Sequence, residues 1–296
     1  MRWQNFLEEL GYAVVITESW SGADSAMLIA LHAYRSHSSM MEFHKNHPDK
    51  PIVLVLTGTD LYRDMAVHAE VVHSMEIADK LIVLQSAALE SIPLHLRYKA
   101  QVIYQSVSVD MAPSIASSDF QITVIGHLRE EKDPFCIARS LPFIPADSKI
   151  SVLHLGMAMN AQTERAAMGY NESLERYQWI GEVSHADALK MLSKSRLMVI
   201  SSRMEGGAHV VSEAIALGIP VIASDIPGNT GLLGDDYLGY YPVGNDAALA
   251  SLLYRCETMP DFYLALKKQI DLRRDLISPQ REKQSIEELM IQVMKS

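Results

Sequence analysis

The sequence predicts an α/β protein built from two doubly wound, Rossmann-like domains facing a cleft. Three observations predict it. Short runs that are apolar on both faces alternate with helical patterns almost throughout, the signature of parallel strands covered by helices. The alternation is interrupted at residues 111–118 by Met-Ala-Pro-Ser-Ile-Ala-Ser-Ser, which reads as an interdomain linker, and then resumes. With 296 residues, the chain is long enough for two domains of ordinary size.

In the first series, residues 12–16, 27–31, 52–56, 80–84 and 101–104 read as buried strands. Residues 35–44, 61–78 and 86–91 between them read as helices. Residues 1–10 form an amphipathic helical pattern ahead of the 12–16 strand. A doubly wound domain ordinarily opens on a strand, so the expectation is a shortened chain whose first strand of the N-terminal domain is missing. The second series places strands at 122–125, 150–155, 177–180, 197–200 and 219–223. Its helices fall at 134–140, 159–169, 185–193, 209–217 and 247–256. Residues 260–274 continue as helix, with a break near Ser278-Pro279. The expected domains are 1–112 and 119–278, with a helix at about 279–296 packing back on the first. In such sheets ligands gather at the carboxyl ends of strands, so the loops after strands carry the chemistry.

Apolar residues make up 48% of the chain and charged residues 21%, a globular composition. The net charge, 26 − 36 = −10, argues against a large nucleic-acid footprint. No apolar run reaches the ~20 residues of a membrane span, and the first residues lack the apolar core of a signal peptide. Cys136 and Cys256 provide neither a disulfide framework nor zinc spacing, which favours a reducing cytoplasm. His44 and His47 lie in a polar turn without other ligands nearby, and the 16 methionines read as core filler.

The sharpest motif is Ser201-Ser202-Arg203-Met204-Glu205-Gly206-Gly207-Ala208-His209-Val210-Val211-Ser212-Glu213-Ala214. It leaves an apolar strand, crosses two glycines that allow close backbone approach, and enters a helix ended by Gly218. The amides opening that helix, Ala208 and His209 among them, form a partly positive anion site. Glu205 in the loop and Glu213, about two turns into the helix, are carboxylates suited to sugar or ribose hydroxyls. The alternative is a tight turn flanked by solvated carboxylates. A second motif, Gly126-His127-Leu128-Arg129-Glu130-Glu131-Lys132, offers Arg129 and Lys132 to a diphosphate, or else is a solvated charged loop. In the first domain, Thr57-Gly58-Thr59-Asp60-Leu61-Tyr62-Arg63 and His32-Ala33-Tyr34-Arg35 follow strands and offer hydroxyls, a carboxylate and cations. Thr59-Asp60 also suits a helix N-cap.

Glu205 and Glu213, followed by Ala214-Ile215-Ala216-Leu217-Gly218-Ile219-Pro220, resemble the signature of family-4 glycosyltransferases, which have the GT-B fold. Gly126 to Lys132 looks like that group's phosphate loop, with His127 where an arginine is commoner. Gly239 to Gly244 resembles its later strand and loop. The resemblance implies that Glu213 holds the donor ribose, and that Glu205, Gly206 and Gly207 hold the donor sugar. It gives the diphosphate to Lys132, Arg129 and the helix end, and places Gly181, Glu182 and Val183 near the base. Glu205, Lys132 and Arg129 would carry catalysis. No Asp-x-Asp follows a strand, so neither a metal nor another cofactor is expected.

Thr-Gly-Thr-Asp-Leu-Tyr-Arg-Asp, together with the motifs above, resembles one subfamily, the selenosugar synthases of selenoneine biosynthesis. That likeness implies a UDP-sugar donor (UDP-N-acetylglucosamine or UDP-glucose) and selenophosphate as acceptor. The acceptor side would be His32, Arg35, Thr57, Gly58, Thr59, Asp60 and Arg63. Other readings are transfer to a hydroxyl with Asp60 as base, a nucleotide-sugar epimerase, and a sugar-nucleotide-binding protein without turnover.

Overall fold

The computed structural model describes residues 2–109, 111–114 and 119–294, and the chain divides into two compact units. The first comprises Met1–Ser106 and Leu276–Ser296, the second Val107–Asp275. Residues 115–118 of the expected linker lie outside the described residues.

In the first unit, helix α1 (Arg2–Glu9) precedes strand β1 (Leu28–Leu31), α2 (His37–Asn46), β2 (Ile52–Leu56) and α3 (Thr59–Tyr62). Then come α4 (Ala69–Ile77), β3 (Lys80–Val83) and β4 (Ala100–Val102). The strands form a parallel sheet in the order β1-β2-β3-β4. Every residue of β2 is buried because both faces are covered. Ile52, Leu54 and Leu56 face Met40, Phe43, Val71 and Met75 of α2 and α4. Val53 and Val55 join Leu7 of α1 and four residues of the closing helix, among them Ile286 and Leu289.

Three expectations for this unit are corrected. Residues 12–16 form no strand. Gly11, at φ 90°, turns the chain out of α1, and the Tyr12 amide bonds back to the Leu7 carbonyl. Tyr12 and Val14 pack on the core while Val15 stays 85% exposed, so the segment has apolar contact but no ladder. The helix expected over 61–78 breaks between Arg63 and His68, where Asp64 is drawn into a buried cluster described below. Residues 86–91 wind as a 3-10 helix, started by the buried Gln85 side chain accepting from the Ala88 amide.

The second unit opens with β5 (Phe120–Ile125), a 3-10 turn at Glu130–Lys132, α5 (Cys136–Ser140) and β6 (Ile150–Leu155). It continues through α6 (Ala161–Ser173), β7 (Tyr177–Gly181), α7 (His185–Leu192), β8 (Leu197–Ile200) and α8 (His209–Leu217). After these lie β9 (Val221–Ser224), α9 (Pro227–Leu233), β10 (Tyr240–Tyr241), α10 (Asp246–Thr258) and α11 (Pro260–Asp271). Its parallel sheet runs β10-β9-β8-β5-β6-β7. Strand order reverses between β8 and β5, so the loops after these strands meet at a topological switch point. Both units have the parallel, helix-covered architecture of a GT-B fold. The short helix α9 was not anticipated, because its sequence Pro-Gly-Asn-Thr-Gly-Leu-Leu holds two glycines.

The closing helix α12 (Pro279–Met294) belongs to the first unit. The charged residues of 267–283 do not all face solvent: α11 ends at Asp271, and Glu282 in α12 is 1% exposed. Nor are the methionines all core. Met40, Met75 and Met198 are fully buried, whereas Met157 and Met159 lie exposed on a groove wall. No helix among the described residues is long and apolar enough to cross a membrane.

Candidate active site

Three strands of the second unit deliver the predicted residues to one edge of the sheet. Gly126 and His127 follow β5, Gly181 ends β7, and Ser201 and Ser202 follow β8. Backbone bonds strap these loops together. The Gly126 amide donates to Leu155, Leu128 to Met157, and Gly156 to Gly181, at 2.9, 2.9 and 2.7 Å. A Cβ on Gly156 would stand 2.0 Å from the Gly126 oxygen, so only glycine lets the loops lie this close. The Met157 amide donates to Nδ1 of His127 at 3.1 Å, which leaves the proton on Nε2 as a donor.

Lys132 ends the 3-10 turn after this loop, and its ammonium contacts Oε1 of Glu205. The same oxygen accepts the Ser202 hydroxyl at 2.5 Å. Ser201 bolts the turn from beneath, donating to the carbonyls of Lys132 and Asp133 at 3.0 and 2.9 Å. Asp133 sits at φ 41°, a left-handed conformation held by ion pairs to Arg139 and Arg203 at 3.0 and 3.3 Å. The Lys132–Glu205 pair borders a small cavity of ≈ 20 Å³ that reaches Gly126 and Ser202. Gly206 and Gly207 are half-buried, and Ala208 is the N-cap of α8. Arg129 is exposed and makes no side-chain bond to another described residue.

Glu213 lies little more than one turn into α8, not two, because the helix begins only at His209. It is 5% exposed and does not share partners with Glu205. Its Oε1 accepts from Nε2 of His185 at 2.6 Å, and Nε2 of His209 stands at 3.9 Å. Gly181 and Glu182 line a separate groove of ≈ 370 Å³ with Met157, Met159 and Trp179. Val183 packs with Leu153 and Leu155 instead. Ser202 and His185 were not singled out from the sequence. Ser202 stood inside the motif, but nothing local marked His185 as a partner of a carboxylate 28 positions away.

In the first unit, the loops after β1 and β2 gather their own cluster. Asp60 is fully buried and accepts amides from Ala33, Thr57, Gly58 and Leu61 at 2.7–3.1 Å. A carboxylate so saturated is a fastener of two loops rather than a base. His32, at φ 71°, accepts the Arg35 amide on Nδ1 at 3.4 Å. Its Nε2 donates to the Thr59 hydroxyl at 3.0 Å, with Asp64 at 3.5 Å. Arg63 pairs with Asp64 at 2.8 Å, while Arg35 and Thr57 are exposed.

Against known proteins, the model of "Glycosyl transferases group 1" matches residues 111–273, more than half of the chain. Glycosyltransferase 1 domain-containing protein 1 of Xenopus tropicalis is 26% identical over 113 residues, 38% of this chain and 33% of that protein. The match thus spans about a third of that relative. Among solved structures, sucrose-phosphate synthase of Thermosynechococcus elongatus superposes with TM-score 0.75 at 16% identity, over 99% of this chain and 76% of that one. HepE of Anabaena, in complex with UDP, gives 0.74 at 14% identity, over 90% and 79%. At such identities these neighbours speak for the fold. The family model, which covers the whole 126–213 site, decides the assignment: the chain belongs to the group 1 glycosyltransferases.

Proposed function

We propose that the protein is a metal-independent glycosyltransferase that moves a sugar from UDP-N-acetylglucosamine or UDP-glucose to selenophosphate. The sugar C1–O bond to UDP breaks, a carbon–selenium bond forms, and UDP leaves with the bonding pair. The observation that carries the donor half is the Lys132–Glu205 pair, seated between the Gly126 loop and the start of α8. There a cation and helix amides meet a diphosphate, and Glu205 is within reach of sugar hydroxyls. Glu213, buried at the ribose position that the family signature implies, accords with this reading. Complexes of HepE with UDP and with UDP-glucose support a uridine donor by analogy.

For the acceptor half, the chemistry of the first-unit loops favours an anion. Arg35 and Thr57 are exposed at strand ends, and Asp60 has no lone pair to spare for deprotonating a hydroxyl. A selenium anion needs no strong base. The test is mass spectrometry of the protein incubated with UDP-sugars and selenophosphate, with a chelator present. The expected outcome is UDP and a selenosugar, both dependent on selenophosphate. Transfer to a plain hydroxyl acceptor would overturn the acceptor half. Tight UDP binding without turnover would make the protein a sugar-nucleotide binder, and rescue by magnesium or manganese would end the metal-independent reading.

A further inference from the structure

His185 opens α7, the helix after β7, and its Nε2 donates to Oε1 of Glu213 in α8, the helix after β8, at 2.6 Å. In the sheet order β8-β5-β6-β7 those two strands are not neighbours, so no ladder between them imposes the meeting. The start of α7 is nevertheless fixed. The Ser184 hydroxyl caps the helix by accepting the Asp187 amide at 3.1 Å, and Ala188 packs on Leu153 and Leu155 of β6. The His185 side chain is 69% exposed and the Glu213 carboxyl it touches is 6% exposed, so the ring stands on the solvent side of that carboxyl. Nε2 of His209, one turn ahead of Glu213 on α8, stands 3.9 Å from the same oxygen. Both rings thus gather on Oε1, and among the described residues Oε2 is given no hydrogen-bond partner.

We propose that His185 is a positioning residue for the nucleotide: it ties Oε1 of Glu213 and leaves Oε2 to accept from the ribose hydroxyls. The direction of the bond is settled, because an ionised carboxylate only accepts and Nε2 must therefore carry the proton. A carboxylate with both oxygens free turns about its last bond, and a ligand has to halt that rotation as it binds. With Oε1 tied to a ring on a capped helix, the second oxygen is already aimed. Buried acceptor capacity that stays unfilled is costly until a hydroxyl fills it. The paired hydroxyls of a ribose are donors of the right kind, and a sugar lacking them is not. The ring therefore helps the site choose ribonucleotides, beyond adding to affinity.

The inference rests on the donor reading of Glu213, and one titration series separates the two. Wild type, His185→Ala and His185→Gln, each as the full chain, are titrated by calorimetry with UDP and with dideoxy-UDP, which lacks both ribose hydroxyls. A thermal melt accompanies each protein. Wild type should prefer UDP by about tenfold or more, as a hydrogen bond to a charged group implies. In His185→Ala that preference should fall to about threefold or less, through weaker UDP binding at unchanged dideoxy-UDP affinity. Glutamine places an amide N–H near the Nε2 position, so His185→Gln should retain most of the preference. A lowered melt in His185→Ala with the preference intact would make the residue a strap between helices and overturn the proposal. So would an equal loss of affinity for both ligands, or a glutamine variant that behaves like the alanine one. Wild type that binds both ligands equally, or neither, would instead remove Glu213 from the ribose, and the donor reading of that residue would fall together with the inference.

Discussion

Single side chains in the second unit bear charge where burial makes each partner count. Glu213 is nearly enclosed and spends one oxygen on His185. On the proposed donor reading, replacing it with alanine should weaken UDP binding by about 1–3 kcal/mol, the worth of a charged hydrogen bond to the ribose. Calorimetry checks this, and unchanged affinity removes Glu213 from the site. His154 also makes stability depend on pH. Its folded pKa of about 4 lies below the ordinary 6.5, so on acidification the unfolded chain takes up the proton first. Its contribution is complete above pH 6.5 and is lost as pH falls toward 4. Between pH 7 and pH 5 the loss should be about 2 kcal/mol. Urea unfolding at both values should show that drop in wild type and a shallower one in His154→Leu.

Between elements, close approach depends on glycines whose neighbours are backbone. Gly228, near the start of α9, would place a Cβ 2.2 Å from the Glu205 carbonyl oxygen and 2.6 Å from its Cβ. Neither atom is a flexible side-chain end, so Gly228→Ala must displace the loop that carries Glu205. We expect a stability loss of about 1–3 kcal/mol and a UDP affinity lowered in parallel. A thermal melt and a titration on the same sample check both, and an unaltered pair would mean that α9 shifts freely. Asp60 ties two elements of the first unit in the same manner, through amides rather than packing.

At the scale of the whole chain, the closing helix is stitched to the opening one. Glu282 of α12 accepts from Trp3 Nε1 and the Ser106 amide, each at 2.8 Å, and forms an ion pair with Arg2 Nε at 2.7 Å. Its side chain has no exposed surface. Glu282→Ala would leave buried donors without an acceptor and should destabilise the first unit by about 3 kcal/mol. Urea unfolding followed by tryptophan fluorescence tests this. A transition at the wild-type midpoint would show that apolar contacts of Ile286 and Leu289 suffice.

The sequence alone determined the architecture and the loops that gather at the candidate site. Strands such as 52–56 and 197–200 are apolar throughout because helices cover both faces, and that pattern is local. Glycines after strands and the carboxylates of 205 and 213 are likewise legible in a short window. Tertiary structure decided everything that depends on a distant partner. The extended, apolar residues 12–16 found contact but no ladder, and the 61–78 helix gave way where Asp60 and Asp64 met buried amides and His32. His154 looked like one more residue in a hydrophobic strand, and its bond to Tyr177 exists only once β6 lies beside β7. Hydrophobic periodicity is written residue by residue along the chain. A buried polar group, by contrast, takes its role from whichever partner the fold places within about 3 Å of it.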